Sequence, residues 1–119
     1  MADLHQPFQL PTNLPTTLPV MALRRGVLLP GVGSSFIVGR ARSLSALAAN
    51  QQGFLLVAAQ RDPVADPDPS DLLPTAVIAR IVERQRAPAG DAERVVLQGV
   101  ARATLTGFTS LQPHLEATY

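Results

Sequence analysis

Between Leu18 and Arg40 the chain reads LPVMALRRGVLLPGVGSSFIVGR, and proline and glycine cut its apolar residues into runs too short for anything but strands. Leu18 to Leu23 is a strand pattern. The Arg24-Arg25-Gly26 turn leads to Val27, Leu28 and Leu29, and at Pro30-Gly31 the glycine can take the positive φ that a type II turn requires. Ser34 to Val38 resumes a strand. Gly39 can then serve as the N-cap of a short helix, about Ala41 to Asn50, whose stripe is Leu44, Leu47 and Ala48 and which stops before Gly53. Phe54 to Ala59 is continuously apolar and short, as a strand buried on both faces should be.

The rest of the chain follows the same grammar. Arg61 to Pro74 holds four acidic residues and four prolines and reads as a loop, with Ser70 as a possible cap. Ala76 to Arg86 is a long strand pattern, apolar at first and polar by Glu83 to Arg86. A reversal at Pro88-Ala89-Gly90-Asp91 returns it through Glu93 to Gly99, which makes a projecting hairpin. Val100 to Leu111 supplies one or two more strands, broken at Gly107. Residues 1–16 are polar and carry Pro7, Pro11 and Pro15, so they read as a mobile arm before a single domain over 17–119. One short helix among about six strands means a mostly-β α+β domain built round an open or pseudo-closed barrel.

Composition removes whole classes of chemistry. There is no cysteine, hence no disulfide, no thiolate metal site and no cysteine nucleophile. All ten basic residues are arginine, and without lysine neither a Walker-type phosphate loop nor a Ser-Lys dyad can be built. A net charge of +1 gives no general attraction to nucleic acid or to an acidic membrane. The first segment lacks the basic start and apolar core of a signal peptide, and no run approaches the roughly 20 apolar residues of a membrane span, so a soluble, cytoplasmic protein is expected.

The tempting residues have plain explanations. His5 and His114 lie near opposite ends and are expected on the surface. In the run Asp66 to Asp71 a calcium loop would need glycine where Asp71 stands and glutamate where Val77 stands. Gly26, Gly31 and Gly33 have the wrong spacing for a dinucleotide loop, and Ser34 and Ser35 have no base to activate them. Arg80, Arg84, Arg86 and Arg94 gather on the hairpin but are interleaved with Glu83, Asp91 and Glu93, as on a solvated face; a nucleic-acid backbone remains the alternative ligand. No catalytic residue, metal site or cofactor site is expected.

LPVMALR, the following PG and FIVGR, then FLLVAAQRDP, DPDPSDL, AVIARIVERQR and VVLQGVARA occur in an order and spacing that resemble the N-terminal domain of the ATP-dependent Lon proteases from Leu18 to about Leu111. The resemblance implies a PUA-like barrel that recognises protein substrates and supports assembly, while ATPase and peptidase chemistry belong to other domains. It also implies partners: unfolded or damaged proteins, the rest of a Lon chain and the neighbouring subunits of a hexamer. Arg25, Ser35 and Ala76 depart from the family pattern, which commonly has an acidic or amide residue, a proline and a glycine there. Because PUA-like barrels include RNA binders, a stand-alone RNA-binding module is the competing function.

A module without chemistry recognises unfolded protein by apolar contact. Two places offer it. One is the loop Leu28, Leu29, Pro30 and Val32, with Met21 adjacent as an adaptable contact; the other is the hairpin near Val82. For each residue ordinary core packing is the competing role.

Overall fold

The computed structural model describes residues 14–24, 26–64, 66–86 and 92–119. Seven strands and one helix follow in the order β1 (Thr17–Leu23), β2 (Gly33–Val38), α1 (Ala41–Ala48), β3 (Phe54–Gln60), β4 (Leu72–Arg86), β5 (Glu93–Thr104), β6 (Gly107–Ser110) and β7 (Leu115–Thr118). They form one sheet in the order β2-β5-β4-β3-β1-β7-β6. The pair β1 and β3 is parallel, as the intervening helix allows, and every other pair is antiparallel.

Alternation along the central strands builds two cores, one on each face of the sheet. Leu18, Val20 and Ala22 of β1, Phe54, Leu56 and Ala58 of β3, and Ala76 and Ile78 of β4 meet Leu115 and Ala117 of β7 on the first face. The intervening residues Met21, Leu23, Leu55, Val57, Val77 and Ala79 meet Val38 of β2, Val95 and Leu97 of β5 and Leu47 of α1 on the second. Thus β3 is buried on both faces, as its unbroken apolar run requires. Leu55 and Leu56 have no exposed surface, and each contributes roughly 1.5–3 kcal/mol of transfer free energy. The second core draws on five strands, β1 to β5, although β1 and β2 stand four places apart in the sheet; the sheet therefore curls until β2 returns towards β1. The result is the expected pseudo-barrel, left open because β2 and β6 do not pair.

Several boundaries move, each for a local reason. β4 begins at Leu72, inside the segment expected to be loop; Pro74 is tolerated there because the β3–β4 register shifts between Ala58 and Gln60, where a missing N–H interrupts nothing. The acidic loop is closed by Asp71, whose carboxylate accepts the Asp68 N–H (2.8 Å), rather than by Ser70. β5 runs through Gly99 to Thr104, and β6 starts at Gly107, where a break was expected. β7 was not expected at all and brings the strands to seven. The helix N-cap is Arg40, one residue after Gly39, and the Leu44 N–H donates to the Arg40 carbonyl (2.9 Å). At the other end Asn50 stops the helix: its side chain donates to the Leu47 carbonyl (2.8 Å) and accepts the Gly53 N–H (3.0 Å).

The hairpin turn expected at Pro88 to Asp91 lies at residues 87–91, outside the described residues, as does His5. Of the segment expected to be an arm, Leu14 packs against the first core and the Pro15 carbonyl accepts the Tyr119 hydroxyl (2.7 Å). His114 is half-buried rather than exposed, because its Nδ1 lies 3.0 Å from the Ser45 hydroxyl and ties the start of β7 to α1.

Candidate functional site

The segment between β1 and β2 is short, apolar and held at several points. Gly26 and Gly31 adopt positive φ (77° and 81°), which turns the chain twice within six residues. Between the turns, Leu28 plunges into the second core and keeps 4% of its surface. The loop then crosses β5. The Gly31 N–H donates to the Gly99 carbonyl (2.8 Å) and the Gly99 N–H donates to the Val32 carbonyl (3.0 Å). This crossing needs glycine at position 99, since a Cβ there would lie 2.2 Å from the Leu29 carbonyl oxygen. β5 also bulges at this point, its register against β4 shifting between Ile78 and Ala79.

What the clamp presents to solvent is apolar. Leu29 is 47% exposed, Val32 43%, and Val27 is exposed as well; farther along, on β2, Ile37 is 67% exposed. Two depressions adjoin this surface. A cavity of about 430 Å³, within the size range of ligand-binding clefts, is walled by Met21, Leu23 and Arg24 at the end of β1, by Phe36 to Val38 of β2, and by Arg40 and Ser43. A smaller one of about 180 Å³ lies under Val27, Leu28 and Leu29, against Val57, Leu73, Val77 and Arg102.

Arg40 closes one end of the larger cavity. Its guanidinium donates to the Ala22 carbonyl (2.6 Å) and to Oε1 of Gln60 (2.8 Å), so the corner between β2 and α1 is pinned to β1 and β3. Burial draws its pKa below the ordinary arginine value, the charge of Arg24 adds to that, and Asp66 opposes it. The Arg24 side is exposed and carries no ion pair among the described residues. The larger cavity is therefore apolar along its walls and cationic at its rim.

The residues expected to touch a ligand divide. Leu29 and Val32 are exposed as expected, and Pro30 is half-buried in the bridge to Gly99. Met21 and Leu28 are not surface contacts: at 1% and 4% exposure they are core side chains, Met21 because the alternation of β1 turns it inward and Leu28 because it anchors the loop. Val82 is half exposed on β4, beyond Arg80, the last residue that β3 pairs. It stands apart from the loop, among Glu83, Arg84 and Arg86. On this hairpin Arg84 makes a two-pronged pair with Glu93 (3.0 and 3.1 Å), so the arginine cluster is partly neutralised and does not form an unbroken basic stripe.

Val27, Phe36, Ile37, Arg24 and Arg40 belong to the surface without having been singled out as ligand contacts. Ile37 had a signal: in a strand successive side chains point to opposite faces, so of the consecutive Phe36, Ile37 and Val38 the middle one must face away from the other two. No group of three His, Asp or Glu able to hold a metal ion occurs among the described residues. No helix among them is long and apolar enough to cross a membrane.

Comparison with known proteins gives one answer. Residues 17–119 match the family described as the ATP-dependent protease La (LON) substrate-binding domain. Similar relatives include Lon protease 4 of Sorangium cellulosum, 38% identical over 97 residues, and the Lon protease of Parabacteroides distasonis, 36% identical over 102. These alignments cover 80% and 83% of the chain but 12% of each relative, so the chain spans about an eighth of their length. Among solved structures, the N-terminal domain of the Mycobacterium avium complex Lon protease matches with a TM-score of 0.64 at 23% identity, over 87% of this chain and 52% of that one. The Lon N-terminal domain protein of Xanthomonas campestris matches equally in TM-score at 18% identity, over 87% and 57%. At these identities the structural matches speak for the fold.

Proposed function

This chain belongs to the substrate-binding domain family of the ATP-dependent Lon proteases, and from that premise we propose that it holds unfolded or damaged protein for ATPase and peptidase domains in the remainder of a Lon chain. The observation that carries the reading is the clamped apolar loop, which exposes Leu29 and Val32, covers a cavity of about 180 Å³ and leads into β2, where Ile37 is exposed at a cavity of about 430 Å³. Unfolded chains differ from folded ones chiefly in offering apolar side chains and unpaired backbone, and a rigid apolar surface takes both without ordering itself first. Affinity per domain is weak on such an area. Six copies on a ring would add avidity through effective concentration, which suits a partner presenting several apolar segments.

The test is a parallel titration of the 119-residue chain at physiological salt with a labelled unfolded protein, the same protein folded, and a mixed RNA pool. Preference for the unfolded protein is expected. Tighter, salt-sensitive binding of RNA would replace this function with the nucleic-acid one.

A further inference from the structure

The two edges of the sheet are built differently. β6 is four residues long and its register against β7 shifts between Phe108 and Ser110, so it offers little regular edge. β2 has neither protection. Its six residues, GSSFIV, pair with β5 in unbroken register, carry no charge and no proline, and expose Ile37 on their way to the cavity. Across that cavity lies a second incomplete edge. β1 pairs β7 only from Thr17 to Val20, so Met21 to Leu23 have β3 on one side and no strand on the other. The seam between β1 and β2 thus has no further strand on either flank, with the Ala22 carbonyl of the β1 flank taken by Arg40, and apolar walls from Met21, Leu23, Phe36 and Val38. At its rim stand two cations, Arg24 and Arg40, with Arg40 fixed to Ala22 and Gln60.

Resting on the substrate-binding reading above, we infer that this seam binds an extended apolar segment of an unfolded polypeptide as an added strand on β2, with an acidic side chain of that segment held at the Arg24 and Arg40 rim. Strand addition discriminates by itself, because a folded protein has already paired the backbone that β2 would need. Alternate side chains of the added strand enter the cavity, while the others lie over Ile37 and the loop at Leu29 and Val32. The rim sets the charge. Burial and then the charge of Arg24 disfavour the Arg40 cation, and a carboxylate between the two guanidinium groups adds to the opposing effect of Asp66. A lysine at the same place has the reverse effect.

The probe is a labelled, C-terminally amidated hexapeptide of alternating valine and threonine ending in aspartate. Its counterparts carry lysine for aspartate, or N-methyl groups on one or the other alternate set of backbone nitrogens. Each is titrated into the full chain, directly and in competition with labelled unfolded protein. The aspartate peptide should bind and compete, and N-methylation of at least one alternate set should weaken it by about tenfold or more. Ile37→Lys, at an exposed position, should weaken it similarly with the melting temperature unchanged. Arg24→Ala should weaken the aspartate peptide several-fold and strengthen, not weaken, the lysine peptide.

Binding of both N-methylated peptides as tightly as the unmethylated one overturns strand addition, and equal binding of the aspartate and lysine peptides overturns the rim. If unfolded protein binds but no peptide competes, the seam is not its site and only this inference falls. If unfolded protein does not bind at all, the substrate-binding reading falls first. A concentration-dependent dimer in sedimentation that Ile37→Lys dissolves would give β2 to a second copy of the chain and also overturn the inference.

Discussion

The loop at Val27 to Val32 and the hairpin strand around Val82 both expose aliphatic side chains, yet only the first is built as a surface. The loop has an anchor below it, Leu28 in the core, a clamp across it at Gly99, and a cavity of about 180 Å³ under it. The hairpin has Val82 alone among charged neighbours, with Arg84 and Glu93 paired across its strands. Exposure is common on protein surfaces and carries little meaning residue by residue; exposure that the scaffold holds rigid is informative.

Substitutions that remove the rigidity test this contrast most harshly. Gly99→Ala drives a Cβ into the Leu29 carbonyl, with backbone on both sides of the clash, and should lower stability by on the order of 3–5 kcal/mol while destroying the loop. Thermal unfolding reads it, and a wild-type melting curve would mean that the crossing is looser than the hydrogen bonds indicate. Leu28→Ala removes the anchor and should cost about 3 kcal/mol, within the range for buried leucines, in denaturant unfolding.

The exposed pair sharpens the same contrast. Leu29→Ser with Val32→Ser should leave the fold within about 0.5 kcal/mol, as at surface positions, and weaken binding of unfolded protein by about tenfold. A large loss of stability instead would move these side chains from the surface to the core. Val82→Ser should change neither stability nor binding beyond about twofold. Smallest of all is Arg84→Ala: a partly exposed ion pair contributes roughly 0–1 kcal/mol, and a larger effect would show that the hairpin is a stiffened element after all.

Much of this architecture was legible before any coordinates. The unbroken run Phe54 to Ala59 marks the doubly buried strand, and Pro30-Gly31 marks the turn, because both follow from local rules that tertiary structure rarely overrides. β7 was not legible: Leu115 to Thr118 is a four-residue strand whose signal is two buried aliphatics, and it forms only because β1 and β6 flank it. The end of the acidic loop was misplaced because Pro74 argues against a strand unless the neighbouring register shift is known. At the site, Leu29 and Val32 could be named from sequence, but whether Met21 and Leu28 faced in or out depended on packing that a single sequence does not encode. That β2 is an edge, and that Arg24 and Arg40 meet at its seam, are facts of topology with no local signature.

Amide hydrogen exchange of the whole chain, with and without saturating unfolded protein, tests the central claim most directly, since it reads every backbone N–H on both regions at once. Added protection should concentrate on Gly33–Val38, Met21–Leu23 and residues 27–32, with the strand residues 82–86 and 93–96 of the hairpin unchanged. Protection confined to the hairpin, with β2 exchanging as before, would contradict it.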